Sequence, residues 1–341
     1  MGDKSKIEWT QATWTPVRAR RHDTGKVGVH CERVSEGCKN CYACSHNKRN
    51  LPVHGTGLDF TILNREKVDI FVDEDMLMAP LRWKRPRKIF VCSQTDLFGE
   101  FVSDEQIDQV FAAMALCPQH TFQVLTKRPE RMRQWATNDG NEDDESMRDR
   151  MDEAAARNFE ACHANMNPPE RWPLPNVWLG VTAENQARAD ERIPLLLQTP
   201  AAKRFVSVEP MLGPVDLQNH PMFWQSNAKI DWVICGGESG HGARPMHPDW
   251  ARSLRDQAVA AGVPFMFKQW GAWQNGSDED WQGKIVLNDG RRCSVPEELD
   301  QDTRNNWPKF RPTKMAFVGK KAAGRLLDGR EWNEFPEVKN A

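Results

Sequence analysis

The chain lacks the segments that would place it in a membrane or send it through one. No apolar run among its 341 residues reaches eighteen, so no helix is expected to span a bilayer. Residues 1–11 read MGDKSKIEWTQ and carry no apolar stretch of the kind a secretion signal needs, so a cytoplasmic protein is expected. A basic surplus is also missing. The 46 Lys and Arg stand against 48 Asp and Glu, a net charge of −2. Composition alone therefore does not point to nucleic acid, although acidic segments can mask a local basic patch. Tyrosine is almost absent, with one against fourteen tryptophans. That balance suits a large core with stacking surfaces and names no activity. Two basic stretches remain, Arg18, Arg20, Arg21 and His22, then Arg82, Lys84, Arg85, Arg87 and Lys88.

What is present is a strand and helix alternation. Short apolar runs at 89–92 (IFVC), 121–125 (TFQVL), 177–181 (VWLGV), 204–208 (RFVSV), 232–235 (WVIC) and 264–268 (PFMFK) have the character of buried parallel strands. An earlier strand is expected within 7–16. Helices are expected over 103–116, where SDEQ forms a capping box, and over 186–197 and 248–261. This order predicts an α/β fold, either a partial (β/α) barrel of the TIM-like kind or an open doubly wound sheet. The barrel should occupy residues 1–272, with an acidic surface insertion at about 138–170. Residues 273–341 lose the rhythm and should form a C-terminal extension packed on the barrel.

Each predicted strand ends in polar residues, and in such barrels strand C-termini form the active-site mouth. Ser93, Gln94 and Asp96 follow the second strand, and Lys127 and Arg128 the third. Thr182, Glu184 and Asn185 come next, then Glu209, and then Gly236, Gly237 and Glu238, with Arg244 beyond. Lys268, Gln269 and Trp270 end the last strand. Capping and turn-making are the plain alternatives for several of these residues.

Cysteine is the one reactive type concentrated in a short segment. Of nine cysteines, four fall at Cys31, Cys38, Cys41 and Cys44. A disulfide framework is not expected in a cytoplasmic chain, so the cluster suggests metal. Cys31, Cys38 and Cys41 give C-x6-C-x2-C, while Cys38, Cys41 and Cys44 give C-x2-C-x2-C. Thiolates suit zinc and iron–sulfur clusters alike, so spacing leaves both open. Four ligands would close a structural site. Three would leave one iron free for chemistry. Cys92, Cys117, Cys162, Cys235 and Cys293 are scattered and are expected to be small buried residues.

The segments WTP (14–16), S-x-G-C-x-x-C-Y (35–42), FVCSQTDLFGE (90–100), HTFQVLTKRPERM (120–132), NVWLGVTAEN (176–185), RFVSVEPMLGPVDL (204–217), DWVICGGESGHGARPM (231–246) and FKQWGAW (267–273) together resemble the phage and prophage three-Cys-motif family. That family is related to radical S-adenosylmethionine enzymes. The resemblance implies a partial barrel of the radical S-adenosylmethionine type and a [4Fe–4S] cluster on Cys31, Cys38 and Cys41. Cys44 is then an extra. The family pattern is broken by the long connection at 17–29 and by the six-residue gap between Cys31 and Cys38.

By position, the resemblance implies that Ser93, Gln94 and Asp96 hold the methionyl end of the cofactor and that Thr182, Glu184 and Asn185 meet its ribose. Lys127, Glu209, Glu238 and Arg244 become candidate catalytic groups. The activity implied is cleavage of S-adenosylmethionine to a 5′-deoxyadenosyl radical, with an external electron donor. The substrate implied is an amino-acyl (glycyl-type) substituent on a modified thymidine in phage DNA, which the enzyme would isomerise in the host cytoplasm after base flipping. Alternatives are a peptide, a free nucleotide or RNA as radical substrate, or a zinc-stabilised nucleic-acid-binding protein without catalysis. A monomer without membrane partners is expected.

Overall fold

The computed structural model describes residues 4–49, 55–137, 147–159, 172–218, 229–276, 283–294 and 298–337. Among them the fold is mixed α/β. Its main element is an open, seven-stranded sheet in the order β1-β5-β6-β7-β8-β9-β10. The strands are β1 (Ala12–Trp14), β5 (Lys88–Val91), β6 (Thr121–Thr126), β7 (Val177–Thr182), β8 (Lys203–Val208), β9 (Trp232–Gly236) and β10 (Phe265–Gln269). The β1–β5, β5–β6, β6–β7, β8–β9 and β9–β10 pairs are parallel. All six residues of β7 and all five of β9 are buried. That is why their sequences run apolar without alternation, as strands covered on both faces must.

The chain divides into two compact units, residues 1–181 with 195–204, and residues 182–194 with 205–341. In the first unit β1, β5, β6 and β7 are joined by helices. Asp104–Ala115 is one of them, and its Ser103 N-cap and Gln106 form the expected capping box. Helix Pro129–Thr137 follows β6, and Met147–Asn158 follows in turn. Asp108, Trp135 and Arg150 lock three helices together, with Trp135 Nε1 donating to Asp108 at 2.9 Å and Arg150 Nη2 at 2.9 Å. The acidic stretch at 138–146 and residues 160–171, which include Cys162, lie outside the described residues.

The expected first strand over 7–16 is shorter than its sequence suggests. Only Ala12–Trp14 joins the parallel sheet. Pro16 offers no N–H to continue the ladder, and the chain turns into β2 (Val17–Arg21). This pairs antiparallel with β3 (Val27–Gly28) and with β4 (Val68–Val72). The long connection before Cys31 is therefore an ordered hairpin. Its sheet brackets the cysteine segment, with β3 entering it and β4 leaving it.

In the second unit β9 lies between β8 and β10, and helix Pro248–Ala260 connects β9 to β10. After residue 272 the parallel pattern ends. β11 (Trp273–Asn275), β12 (Gly283–Val286), β13 (Arg292–Cys293) and β14 (Thr313–Phe317) form a four-stranded antiparallel sheet in the order β11-β14-β12-β13. The scattered Cys92, Cys117, Cys235 and Cys293 are buried, as expected for small apolar residues.

Candidate metal centre

The cysteine segment runs from His30 to helix Tyr42–Lys48. Three hydrogen bonds fasten it to the C-terminal ends of the parallel strands. Thr95 Oγ1, beyond β5, donates to the His30 carbonyl. Tyr42 Oη donates to the Ser93 carbonyl. Arg128 Nη2, beyond β6, donates to the Glu32 carbonyl at 3.1 Å. A further strut comes from the stretch before β4: Glu32 accepts both Nε and Nη2 of Arg65 at 2.7 and 2.8 Å. This bidentate pair holds the Glu32 carboxyl below its ordinary range.

Cys31, Cys38 and Cys41 are half-buried, and Cys31 and Cys41 pack against Val29, Ala43, Cys44 and Phe60. Burial pushes the Cys31 thiol up to about 12, and the negative charges of Asp96, Cys41 and Cys38 act in the same direction. Cys38 Sγ lies 3.9 Å from the Ser35 hydroxyl. Cys44 is engaged elsewhere, its thiol donating to Asp59 Oδ1 at 2.8 Å, and burial raises its pKa. Asp59 also takes Arg33 at 2.8 Å and Lys48 at 3.4 Å. Among the described residues no group of three or more His, Cys, Asp and Glu side chains is arranged around a single ion position.

The segment after β5 is tightly wound. Cys92 has φ of 52°, a left-handed conformation costly for a non-glycine residue. Its N–H donates to the Trp14 carbonyl at 2.7 Å. The turn that follows buries Asp96, whose carboxylate accepts four hydrogen bonds. Phe98 N–H and Thr126 Oγ1 donate to Oδ1 at 3.1 and 2.7 Å; Lys127 N–H and Arg128 Nη1 donate to Oδ2 at 3.1 Å each. Four bonds are all that a carboxylate's lone pairs accept, so an ammonium ligand at Asp96 must displace one of them. Ser93 and Gln94 are half-buried beside it, and Lys127 is half-buried on the β6 side.

The remaining candidates belong to the second unit. Glu184 is fully buried against Arg192, with Nη1 at 3.0 Å from Oε2. The same Nη1 donates to the Thr182 carbonyl at 2.9 Å. Asn185 Oδ1 accepts from Arg188 N–H at 3.1 Å, which caps helix Gln186–Gln198. Glu209, after β8, reaches Lys268 on β10 at 2.6 Å. Gly236, the last residue of the intervening β9, permits this, since a Cβ there would stand 3.2 Å from the Glu209 carboxyl. Glu238 accepts Nε and Nη2 of Arg244 at 2.8 and 2.6 Å. Gly237 is needed for backbone packing, because its Cβ would lie 2.1 Å from the Trp270 carbonyl oxygen.

The first basic stretch lies in and just after β2, in the antiparallel sheet around the cysteine segment, and the second precedes β5. Arg18 is buried in β2, and Arg20 stacks on Phe71 at 4.7 Å. The exposed Arg82, Lys84 and Arg85 precede β5, at the end of that strand away from the cysteine segment. Thr95 is one of the polar residues that end β5, and Asp59 lies outside every motif; nothing local in the sequence signals the part either plays.

No curated protein and no solved structure matches the chain. A family model described as a protein of unknown function, DUF5131, matches residues 4–336, and the chain belongs to that family.

Proposed function

We propose that the protein is a radical S-adenosylmethionine enzyme whose [4Fe–4S] cluster is held by Cys31, Cys38 and Cys41. The observation that carries this reading is the fastening of the cysteine segment to the C-terminal ends of β5 and β6 through Thr95, Tyr42 and Arg128. Those strand ends are where α/β barrels place their chemistry. The donor set supports an open site. Three half-buried thiols lie on one short segment, while Cys44 is committed to Asp59. Cys31, Cys38 and Cys41 would hold the cluster with one iron open, and the group would supply the electron for cleavage of S-adenosylmethionine.

The chain's own residues do the positioning. Arg65 fixes the Glu32 carboxylate, and Thr95 and Arg128 fix the carbonyls on either side of Cys31. Phe60 and Val29 cover the apolar side of Cys31 and Cys41 and limit water. Ser93, Gln94 and Thr95 of this turn are half-buried, with Thr95 bonded to the His30 carbonyl. The substrate, an amino-acyl substituent on a modified thymidine to be isomerised in DNA, rests on the resemblance to phage proteins. The basic stretches do not support it.

Anaerobic reconstitution with iron and sulfide tests the cluster. About four irons per chain are expected, and a colourless zinc protein would overturn it. Incubation with S-adenosylmethionine, reductant and modified DNA tests the substrate. Release of 5′-deoxyadenosine without any change in nucleoside mass or retention would retain the radical chemistry and remove the DNA substrate.

A further inference from the structure

Arg128 touches both the cysteine segment and the β5 turn. It is 8% exposed. Nη1 donates to Asp96 Oδ2 at 3.1 Å and Nη2 to the Glu32 carbonyl at 3.1 Å. Cys31 Sγ lies 3.8 Å from that same carbonyl oxygen, so sulfur and guanidinium meet at one acceptor. The shared Glu32 carbonyl thereby keeps the cation close to the Cys31 sulfur. The Phe101 ring, 5.9 Å away, closes its remaining side.

We propose that Arg128 is a positioning residue that raises the reduction potential of the cluster by holding a buried cation against the Cys31 sulfur. This assignment rests on the cluster reading above. With Asp96 and the Glu32 carbonyl as its partners, Arg128 is built into the wall and is not a ligand for the cofactor carboxylate.

The argument is electrostatic. Reduction adds one electron to the cluster and makes it more negative. A fixed cation at a ligand sulfur stabilises the reduced form more than the oxidised one. The effect survives because the site is buried and poorly screened by solvent ions. Asp96 opposes it, with its charge shared among Thr126, Lys127 and Phe98, so removing the guanidinium leaves that carboxylate unanswered near Cys31. Arginine suits the place because its planar fork serves a carboxylate with one amine and a carbonyl with the other, which an ammonium group does not do with fixed geometry.

The test uses full-length protein, anaerobically reconstituted, as wild type and as Arg128→Met, Arg128→Gln and Arg128→Lys. Iron and sulfide per chain are measured first. The midpoint potential is then followed by electron paramagnetic resonance during titration with dithionite and mediator dyes. Wild-type iron content with a lower midpoint in Arg128→Met and Arg128→Gln, and a smaller drop in Arg128→Lys, is the expected result. Should Arg128→Met hold no iron, Arg128→Gln decides, since an amide keeps a donor for the Glu32 carbonyl and removes the charge. An unchanged midpoint in an iron-loaded neutral variant overturns the role of Arg128 alone. Wild-type protein that takes up no iron overturns the cluster reading, and this assignment with it.

Discussion

Glu184→Gln removes the charged partner of a guanidinium that has no route to water. Arg192 and Glu184 have side-chain exposures of 1% and 0%. After the substitution Arg192 keeps the Thr182 carbonyl at 2.9 Å, but its charge is uncompensated. Its Nε already has no hydrogen-bond partner among the described residues. Removing one member of a buried pair typically costs about 3–5 kcal/mol, against roughly 5–15 kcal/mol for a whole domain. The double variant Glu184→Leu/Arg192→Met removes both charges with similar volumes, and should cost clearly less than the sum of the single losses. Guanidinium denaturation followed by circular dichroism measures both. In a chain with two units each transition is fitted by itself. The same variants, reconstituted and titrated with S-adenosylmethionine, separate structure from ligand binding. A Glu184→Gln loss below about 1 kcal/mol, accompanied by lost cofactor affinity, would show that the carboxylate serves the ribose and would refute the buried-pair argument.

Three further outcomes are expected. Cys31→Ala should lose bound iron and Cys44→Ala should keep it, because the Cys44 thiol is spent on Asp59; iron analysis decides, and the reverse pattern would move the site to Cys38, Cys41 and Cys44. Stability should fall as pH drops below about 6.5, since burial lowers the pKa of His247 and His120 in the fold. His247 accepts Asp249 N–H at Nδ1 and donates from Nε2 to the Arg311 carbonyl, so a further proton breaks the cap. The unfolded chain then binds more protons than the folded one, each histidine adding a slope of at most about 1.4 kcal/mol per pH unit. His247→Gln should flatten the profile, and a slope equal to wild type would count against it. Gly237→Ala should cost at least about 1–3 kcal/mol by overpacking, read as a lower melting temperature, because its Cβ would stand 2.1 Å from the Trp270 carbonyl.

The parallel strands were legible because both faces are covered. Unbroken apolar runs at 177–181 and 232–235 can only be buried, and polar residues after them mark the ends. The capping box at Ser103 was equally readable, being a local contact between residues three apart. The stretch 17–29 was opaque, since β2 finds its partner β4 some fifty residues later and no local pattern announces that pairing. The site was legible in residue type and blurred in role. Asp96, Glu184, Glu209 and Glu238 all follow strands as expected. Each proves to be held by a cation from elsewhere in its own unit: Arg128, Arg192, Lys268 and Arg244. Sequence shows a carboxylate at a strand end but not whether its charge is already answered.

The scarcity of tyrosine has a practical side. The chain's single phenol belongs to Tyr42, the residue after Cys41, and it bonds the Ser93 carbonyl while its ring stays about half exposed. Any label or spectroscopic probe selective for phenols, such as nitration, iodination or ring isotope enrichment, therefore reports on one spot, with no background from the other 340 residues. The docking of the cysteine segment onto the strand ends can be followed in the native protein without engineering a reporter.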